Sequence, residues 1–343
     1  MKEKILALLR QSNDYISGQN LCEQLNVSRT AVWKAVNALK AEGYQIEAVQ
    51  NRGYRLTGVP DVLTKEEIMS HLHTRWAGCQ VEAHEKITYS TNQRVKQLAD
   101  QGAPEGTLVV ADVQEGGKGR RGRAWVAPVP GTNIAMSFLL RPEIDPSRAS
   151  MMTLIAAMAV RAAIADVTGM DTKIKWPNDV IVNKKKVCGI LTEMTMEEEY
   201  IQSVVVGIGI NVHNESFPEE LKEKATSLLI ETGGGHFSRA EITAKVLEHF
   251  EEYYEKFIAD GDLRRLQEEY NSCLTAIGGK VSILAPERTW EGISRGINAE
   301  GALLVEKEDG SIEKITSGEV SVRGIYGYVY LFRAMQICNK CIG

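Results

Sequence analysis

The sequence predicts an α+β multidomain chain: an N-terminal winged helix-turn-helix, a central mixed-sheet α/β domain and a small C-terminal β-barrel. Three observations carry this. At 343 residues the chain exceeds what one small core needs. Three short amphipathic segments and a hairpin pattern fill the first sixty or so residues. Beyond Thr275, short alternating strands are punctuated by Gly, Asn and Asp turns.

Taken in order, residues 2–11 form a first helix with Ile5, Leu6, Leu8 and Leu9 on its apolar face. Ser17 precedes a second helix over about 18–25, where Leu21 and Leu25 are i,i+4 neighbours. Asn26-Val27-Ser28 is a tight turn, and Ser28 is placed to cap a third helix over 29–42, ended by Gly43. Val32, Val36 and Leu39 face its core. Tyr44–Val49 and Gly53–Leu56 alternate in polarity, and Gln50-Asn51-Arg52-Gly53 joins them with hairpin chemistry. Gly58-Val59-Pro60 is a linker.

The central region predicts helices near 65–73, 91–101, 147–168 and 239–260. Strands are expected near 82–88, 107–113, 133–140, 173–176, 179–183, 187–194 and 200–212. Short connections such as Asn183-Lys184-Lys185-Lys186 favour an antiparallel or mixed sheet over a doubly wound parallel one. Met151–Ile164, the most apolar stretch, contains Arg161, is too short to span a bilayer and reads as a buried core helix. The expected domain limits are 1–60, 64–270 and 275–329, with 330–343 an irregular tail.

Charge is unevenly spread. Residues 1–60 hold eight basic and five acidic side chains, +3, so the remainder carries −8 of the net −5. A basic head on an acidic body suits a module for a polyanion. With no signal peptide, the six scattered cysteines are expected to be reduced, in the cytoplasm. Cys338 and Cys341 form a CxxC without two further ligands at metal spacing, so no zinc site is expected there.

The third helix would be the DNA-recognition element. Ser28, Arg29, Thr30, Trp33 and Lys34 occupy its start, where helix-turn-helix docking meets base edges. Arg52 sits at the wing tip, within reach of phosphate or the minor groove. A winged helix used only for protein contacts is the alternative; the clustering of cations on helix and wing favours DNA.

Two central signals carry chemistry. The first is Gln114-Glu115-Gly116-Gly117-Lys118-Gly119-Arg120-Arg121-Gly122-Arg123-Ala124-Trp125, directly after an apolar strand. Glycines admit an anion to backbone N–H groups, guanidinium groups grip phosphates, and Trp125 offers a flat face for a base. Gly117–Gly122 matches GxGxxG but lacks the helix a dinucleotide fold requires; a surface loop for RNA stays open on charge alone. The second is Lys173-Ile174-Lys175-Trp176-Pro177-Asn178-Asp179-Val180. By composition it could be only a hairpin; functionally, Lys175 would stabilise charge on phosphoryl or carboxylate oxygens and Asp179 would suit Mg²⁺. A weaker third piece, Val206–Val212, interrupts a buried strand with Gly207 and Gly209 and ends in Asn211-Val212.

These pieces occur in order with Ser90-Thr91-Asn92-Gln93, Gly189-Ile190-Leu191 and Gly318–Gly324. Together they resemble the bifunctional biotin–protein ligase and biotin operon repressor family, from the helix-turn-helix to Tyr328. The resemblance implies a catalytic domain of the biotin/lipoate ligase type and an SH3-like barrel. It implies activation of biotin by MgATP to biotinyl-5′-AMP, transfer to a lysine of a biotin carboxyl carrier protein, and repression at an operator duplex by a homodimer, with no membrane association. By the same resemblance Ser90, Thr91, Asn92, Gln114, Lys118, Gly119, Arg120, Lys175 and Gly189 would line the biotin site. Arg121, Arg123, Trp125, Asn178, Asp179, Asn211 and Arg323 would face the nucleotide, and Lys175 and Arg120 would be catalytic. The loop departs from the family's GRGRRGR in having Lys118 at the first arginine, and the tail after Tyr328 differs from the family's ending. A repressor without enzymatic activity is disfavoured by the intact Arg120 and Lys175. A lipoate ligase is disfavoured by the N-terminal module and the Gly–Arg loop.

Overall fold

A computed structural model describes residues 1–12, 14–125, 127–284, 289–316 and 319–322, the side chains of Arg121 and of 319–322 excepted. Arg323, the cysteine pair Cys338 and Cys341, and the 330–343 tail lie outside the described residues.

The N-terminal module contains α1 (Lys2–Gln11), α2 (Gly18–Leu25), α3 (Arg29–Ala41) and the antiparallel hairpin β1 (Gln45–Val49) and β2 (Gly53–Gly58). Side-chain oxygens of Ser17 and Ser28 accept from the backbone N–H groups of Asn20 and Ala31, so both serines cap their helices as their positions suggest. Ile5, Leu6, Leu9, Leu21, Val32, Val36 and Leu39 make a core with Tyr44 and Ile46. Gly53 has φ +109° and its backbone passes Ile16 so closely that a Cβ there would lie 2.0 Å from the Ile16 carbonyl oxygen.

After α4 (Lys65–His71) comes a seven-stranded sheet built from β3 (Val81–Ile87), β4 (Leu108–Gln114), β5 (Asn133–Leu140), β6 (Lys173–Lys175), β7 (Asp179–Val182), β8 (Lys185–Glu197) and β9 (Tyr200–Asn211). Its order is β3-β4-β5-β9-β8-β7-β6. Only β3–β4 is parallel, and α5 (Thr91–Asp100) makes that crossover. The sheet is therefore mixed, as the short connections require.

Two long helices, α6 (Met151–Thr168) and α9 (Arg239–Asp260), pack together against this sheet, while Val95 of α5 packs on Val109, Leu139 and Val205. Every residue of β5 is buried. The segment Pro146–Thr168 is long and apolar enough, by length and composition, to cross a membrane, but 67% of its apolar window is buried inside the fold. It is a core helix. Its α-helical part begins later than the pattern suggests, because Pro146–Arg148 forms a separate 3₁₀ turn capped by Asp145.

Short helices α7 (Glu219–Lys222) and α8 (Leu228–Glu231) follow β9, and α10 (Gln267–Cys273) leads into the C-terminal sheet. That sheet comprises β10 (Lys280–Leu284), β11 (Thr289–Ile297), β12 (Leu303–Glu306), β13 (Ile312–Ile315) and β14 (Glu319–Val322). All pairs are antiparallel, in the order β13-β12-β11-β10-β14. Among the described residues β13 and β14 are its two edges and no pairing closes them. The sheet is tied to the centre by Thr275 N–H donating to the Ile174 carbonyl (2.8 Å) and Trp176 Nε1 donating to the Gly301 carbonyl (3.1 Å).

Candidate functional site

The strand β4 delivers Gln114 to the edge of a cavity, and the glycine–arginine loop folds back across it. Gln114 and Ala127 exchange backbone hydrogen bonds at the loop's base, and Trp125 N–H donates to the Gly117 carbonyl (3.0 Å). Glycine is required at 117: a Cβ would lie 2.0 Å from the Trp125 carbonyl oxygen and 2.4 Å from Gln114 Nε2. The Arg120–Gly122 stretch forms a single 3₁₀ turn.

The KWPND hairpin comes to meet this loop. Arg120 Nη1 donates to Asn178 Oδ1 (2.9 Å), and Asn178 Nδ2 donates to the Ile190 carbonyl (3.1 Å). The two strongest sequence signals, more than fifty residues apart, are thus joined by one side-chain hydrogen bond.

Opposite lies a buried polar wall at the start of α5. Thr91 N–H donates to Gln114 Oε1 (2.7 Å), Thr91 Oγ1 lies 2.7 Å from Ser137 Oγ, and Ser137 Oγ donates to Asn92 Oδ1 (2.6 Å). Ser90 caps α5 by accepting from Gln93 N–H (3.1 Å). Asn92 Nδ2 donates to Glu193 Oε2 (2.7 Å), and Lys96 Nζ donates to Glu193 Oε1 (2.7 Å). Burial works to raise the Glu193 pKa, yet the bonds from Lys96 and Asn92 hold it below the ordinary glutamate value. The floor is β9: Cβ atoms at Gly207 and Gly209 would lie 2.0 Å from Asn92 Oδ1 and 2.3 Å from the Trp125 indole. Small residues there let an amide and a flat ring lie on the strand itself.

Of the residues expected at the site, Ser90, Thr91, Asn92, Gln114, Lys118, Gly119, Arg120, Trp125, Asn178 and Gly189 line one cavity. Lys175 does not. It is 6% exposed and in register with Asp179 across the β6–β7 hairpin. The cation at the cavity on this side is Lys186, whose Nζ lies 2.6 Å from Asp179 Oδ1 and beside Gly189. Sequence reasoning missed it by treating Asn183–Lys186 as a turn; its position three residues before Gly189 was the available signal. Asp179 is one step removed, holding Lys186 rather than lining the cavity.

Asn211 also sits off the lining, at the end of β9, where its Oδ1 accepts from Asn133 (2.9 Å) and its Nδ2 donates to the Thr226 carbonyl (3.0 Å). Arg123 lies in the loop outside the lining, its carbonyl accepting from Gly119 N–H (2.6 Å). Arg121's side chain and Arg323 lie outside the described residues. Among the described residues, no cluster of three His, Cys, Asp or Glu side chains is arranged to hold a metal ion.

In the N-terminal module Arg29, Thr30, Trp33 and Lys34 are exposed on one end of α3, Trp33 by 57%. Arg29 accepts company from Gln19, donating to its Oε1 (3.0 Å). Arg52 and Arg55 stack on Tyr15, at 4.3 and 4.8 Å from the ring centre, and Arg52 pairs with Asp14 (3.1 Å). Tyr15 and Arg55 were not expected; a cation pair held on an aromatic ring presents charge with little freedom left to lose.

Comparison with known proteins agrees with this arrangement. Residues 85–211 match the Biotin/lipoate A/B protein ligase family, residues 2–55 an HTH domain, and residues 276–323 the Biotin protein ligase C terminal domain. The chain is 40% identical over 327 residues to the Bifunctional ligase/repressor BirA of Bacillus subtilis (strain 168), covering 94% of this chain and 98% of that protein. It is 29% identical over 324 residues to the protein of the same name from Escherichia coli (strain K12), covering 93% and 96%. Among solved structures it is similar to a biotin protein ligase from Aquifex aeolicus in complex with biotin and ATP, at TM-score 0.60 and 32% identity, covering 71% of this chain and 99% of that one. On these grounds the chain belongs to the biotin–protein ligase family, in the bifunctional ligase/repressor form that carries an N-terminal helix-turn-helix.

Proposed function

We propose that the chain converts biotin and MgATP to biotinyl-5′-adenylate and pyrophosphate, then transfers biotin to a lysine of a biotin carboxyl carrier protein. With its helix-turn-helix it acts as a biotin-responsive repressor of biotin-synthesis genes. The observation that carries the reading is the Arg120–Asn178 bond, which closes the glycine–arginine loop onto the KWPND turn over a cavity walled by Asn92 and Gln114.

In the first half-reaction a biotin carboxylate oxygen attacks the α-phosphorus and pyrophosphate departs. Arg120 and Lys175, with Lys186 at the cavity lining, would stabilise the developing charge. Ser90, Thr91, Asn92 and Gln114 supply donors and acceptors for the biotin head; Lys118, Gly119 and Gly189 border its path. Trp125 offers a face for the adenine ring, Asn178, Asn211, Arg121, Arg123 and Arg323 serve the nucleotide, and Asp179 is the acid nearest a substrate-borne Mg²⁺. In the second half-reaction the carrier amine attacks the mixed anhydride and AMP leaves. No covalent enzyme intermediate is needed, so positioning and charge stabilisation account for the rate. The loop shields the anhydride from water.

Ser28, Arg29, Thr30, Trp33, Lys34 and Arg52 make the operator contacts, presented by a homodimer on a palindromic duplex. The working modules are residues 1–60, 64–270 and 275–329, the last closing as an SH3-like barrel. The deciding experiment is an AMP-forming assay with ATP, a carrier domain and either biotin or lipoate. Biotin-dependent labelling of the carrier supports the reading; labelling with lipoate alone, or none, overturns it.

A further inference from the structure

Arg239, at the start of α9, is 1% exposed, yet it joins three segments distant in sequence. Its Nε donates to Asp61 Oδ2 (2.7 Å), its backbone N–H to Asp61 Oδ1 (2.9 Å) and its Nη2 to the Asp61 carbonyl (3.2 Å). Its Nη1 donates to Asp112 Oδ1 and to the Asn133 carbonyl (3.0 Å). Asp61 belongs to the connection just after the DNA-binding module. Asp112 lies two residues before Gln114, at the root of the cationic loop, and its Oδ1 also accepts from Gly131 N–H (2.9 Å), where the loop ends. His213 reinforces the joint, with Nδ1 3.3 Å from Asp61 Oδ2 and 3.0 Å from the Gly131 carbonyl.

The connection continues into α4, which meets the N-terminal module. Glu67 of α4, fully buried, accepts from Arg10 of α1 and from the Tyr44 hydroxyl (2.5 Å). Between the loop and the N-terminal module, then, stand two groups of charge-assisted hydrogen bonds, one at Arg239 and one at Glu67, joined by the chain from Asp61 into α4. Lysine could not replace Arg239 in full, because the planar guanidinium serves two carboxylates and two carbonyls at once, one acceptor more than the three donors of an ammonium.

We propose that Arg239 is the joint through which the state of the cationic loop is transmitted, by way of Asp112 and Asp61, to the seat of the DNA-binding module. This rests on the proposed reading that the loop encloses biotin and ATP, which costs it conformational freedom. The loop closes by drawing its two roots together at Asp112 and Gly131. The guanidinium that holds Asp112 also holds Asp61, so a loop that stiffens stiffens the connection with it.

The test is hydrogen–deuterium exchange on the full chain, with and without biotin and MgATP, for wild type, Asp61→Asn and Arg239→Lys. In wild type, ligand is expected to slow exchange roughly 5-fold or more both in the loop (115–125) and in the connection (57–68). In either variant the loop should still be slowed, while protection of the connection falls by about 2- to 30-fold. Asp61→Asn alters a partly exposed position and carries the test should Arg239→Lys not fold; unchanged exchange of β5 and β9 without ligand reports folding. Equal protection of the connection in wild type and variants overturns the proposal, as does a wild-type connection that ignores ligand while the loop responds. A wild-type loop that does not respond to biotin and MgATP overturns the ligand reading instead, and this joint with it.

Discussion

Lys175 is buried opposite Asp179 where the hairpin turns, and Lys186 pairs with Asp179 at the cavity. A cation acts on a transition state only where it reaches developing charge, so the exposed partner is the better placed. Lys186→Ala is expected to lower biotin-dependent ATP–pyrophosphate exchange by about 10²–10³-fold, and Lys175→Ala by less. The reverse order would return the charge-stabilising role to Lys175. A second residue-scale prediction concerns the floor. Gly209→Ala places a methyl group 2.3 Å from the Trp125 ring and must lift it off the strand. We expect kcat/KM for ATP to fall by about 10- to 100-fold, measured by steady-state adenylate formation; an unchanged value would remove Trp125 from the nucleotide site.

At the scale of elements, α4 meets the N-terminal module through one carboxylate. Burial works to raise the Glu67 pKa, but hydrogen bonds from His71 and Tyr44 and the charge of Arg10 hold it below the ordinary 4.5. Asp61 behaves alike: burial opposes ionisation, and His213 and Arg239 overcome it, holding the pKa below 3.8. A depressed folded-state pKa means stability that is present above the unfolded pKa and is lost as pH falls through the folded one. Docking of the module against α4 is therefore expected to weaken progressively below about pH 4.5, and Glu67→Gln should flatten that acid limb in a thermal-melt series. Glu67→Ala strands the Arg10 charge and the Tyr44 hydroxyl, and should cost about 3 kcal/mol by urea titration at neutral pH. A loss under half a kcal/mol would show that water replaces the carboxylate.

For the whole molecule, a fragment beginning at Asp61 retains the cavity and both of its loops. It should label a carrier and lose operator binding. Operator binding that survives the deletion would refute the assignment of DNA contacts to α3 and the wing. The full chain should dimerise more tightly and bind operator more strongly with biotin and ATP, because ligand offsets the entropy of ordering the loop. By reciprocity, dimerisation then tightens adenylate binding by the same factor. Arg120→Gly removes the loop's bond to Asn178 and should abolish that gain while leaving the N-terminal module folded. Sedimentation equilibrium and operator titration on both proteins, with and without ligand, measure it; identical affinities in all four cases would leave an uncoupled ligase.

Local chemistry determined much of this chain. Apolar periodicity placed α1 to α3, β3 to β9, α6 and α9; Ser17 and Ser28 announced their helices because a capping side chain acts within three residues of itself. The glycine–arginine loop and the KWPND turn were legible because their residue types are costly unless they serve an anion. What no local pattern carried was which charges meet. Lys186 looked like one of three equivalent lysines in a turn until β8 paired with β7 and set it beside Gly189 and Asp179. Lys175, in the more specific motif, is buried opposite Asp179 by the register of a three-residue strand. Arg239, Asp61 and Glu67 are single charged residues on otherwise ordinary segments. The burial of Arg239 and Glu67 arises only when α9, α4 and the connection pack together, because the partners that make a buried charge tolerable, Asp61 among them, come from far along the chain.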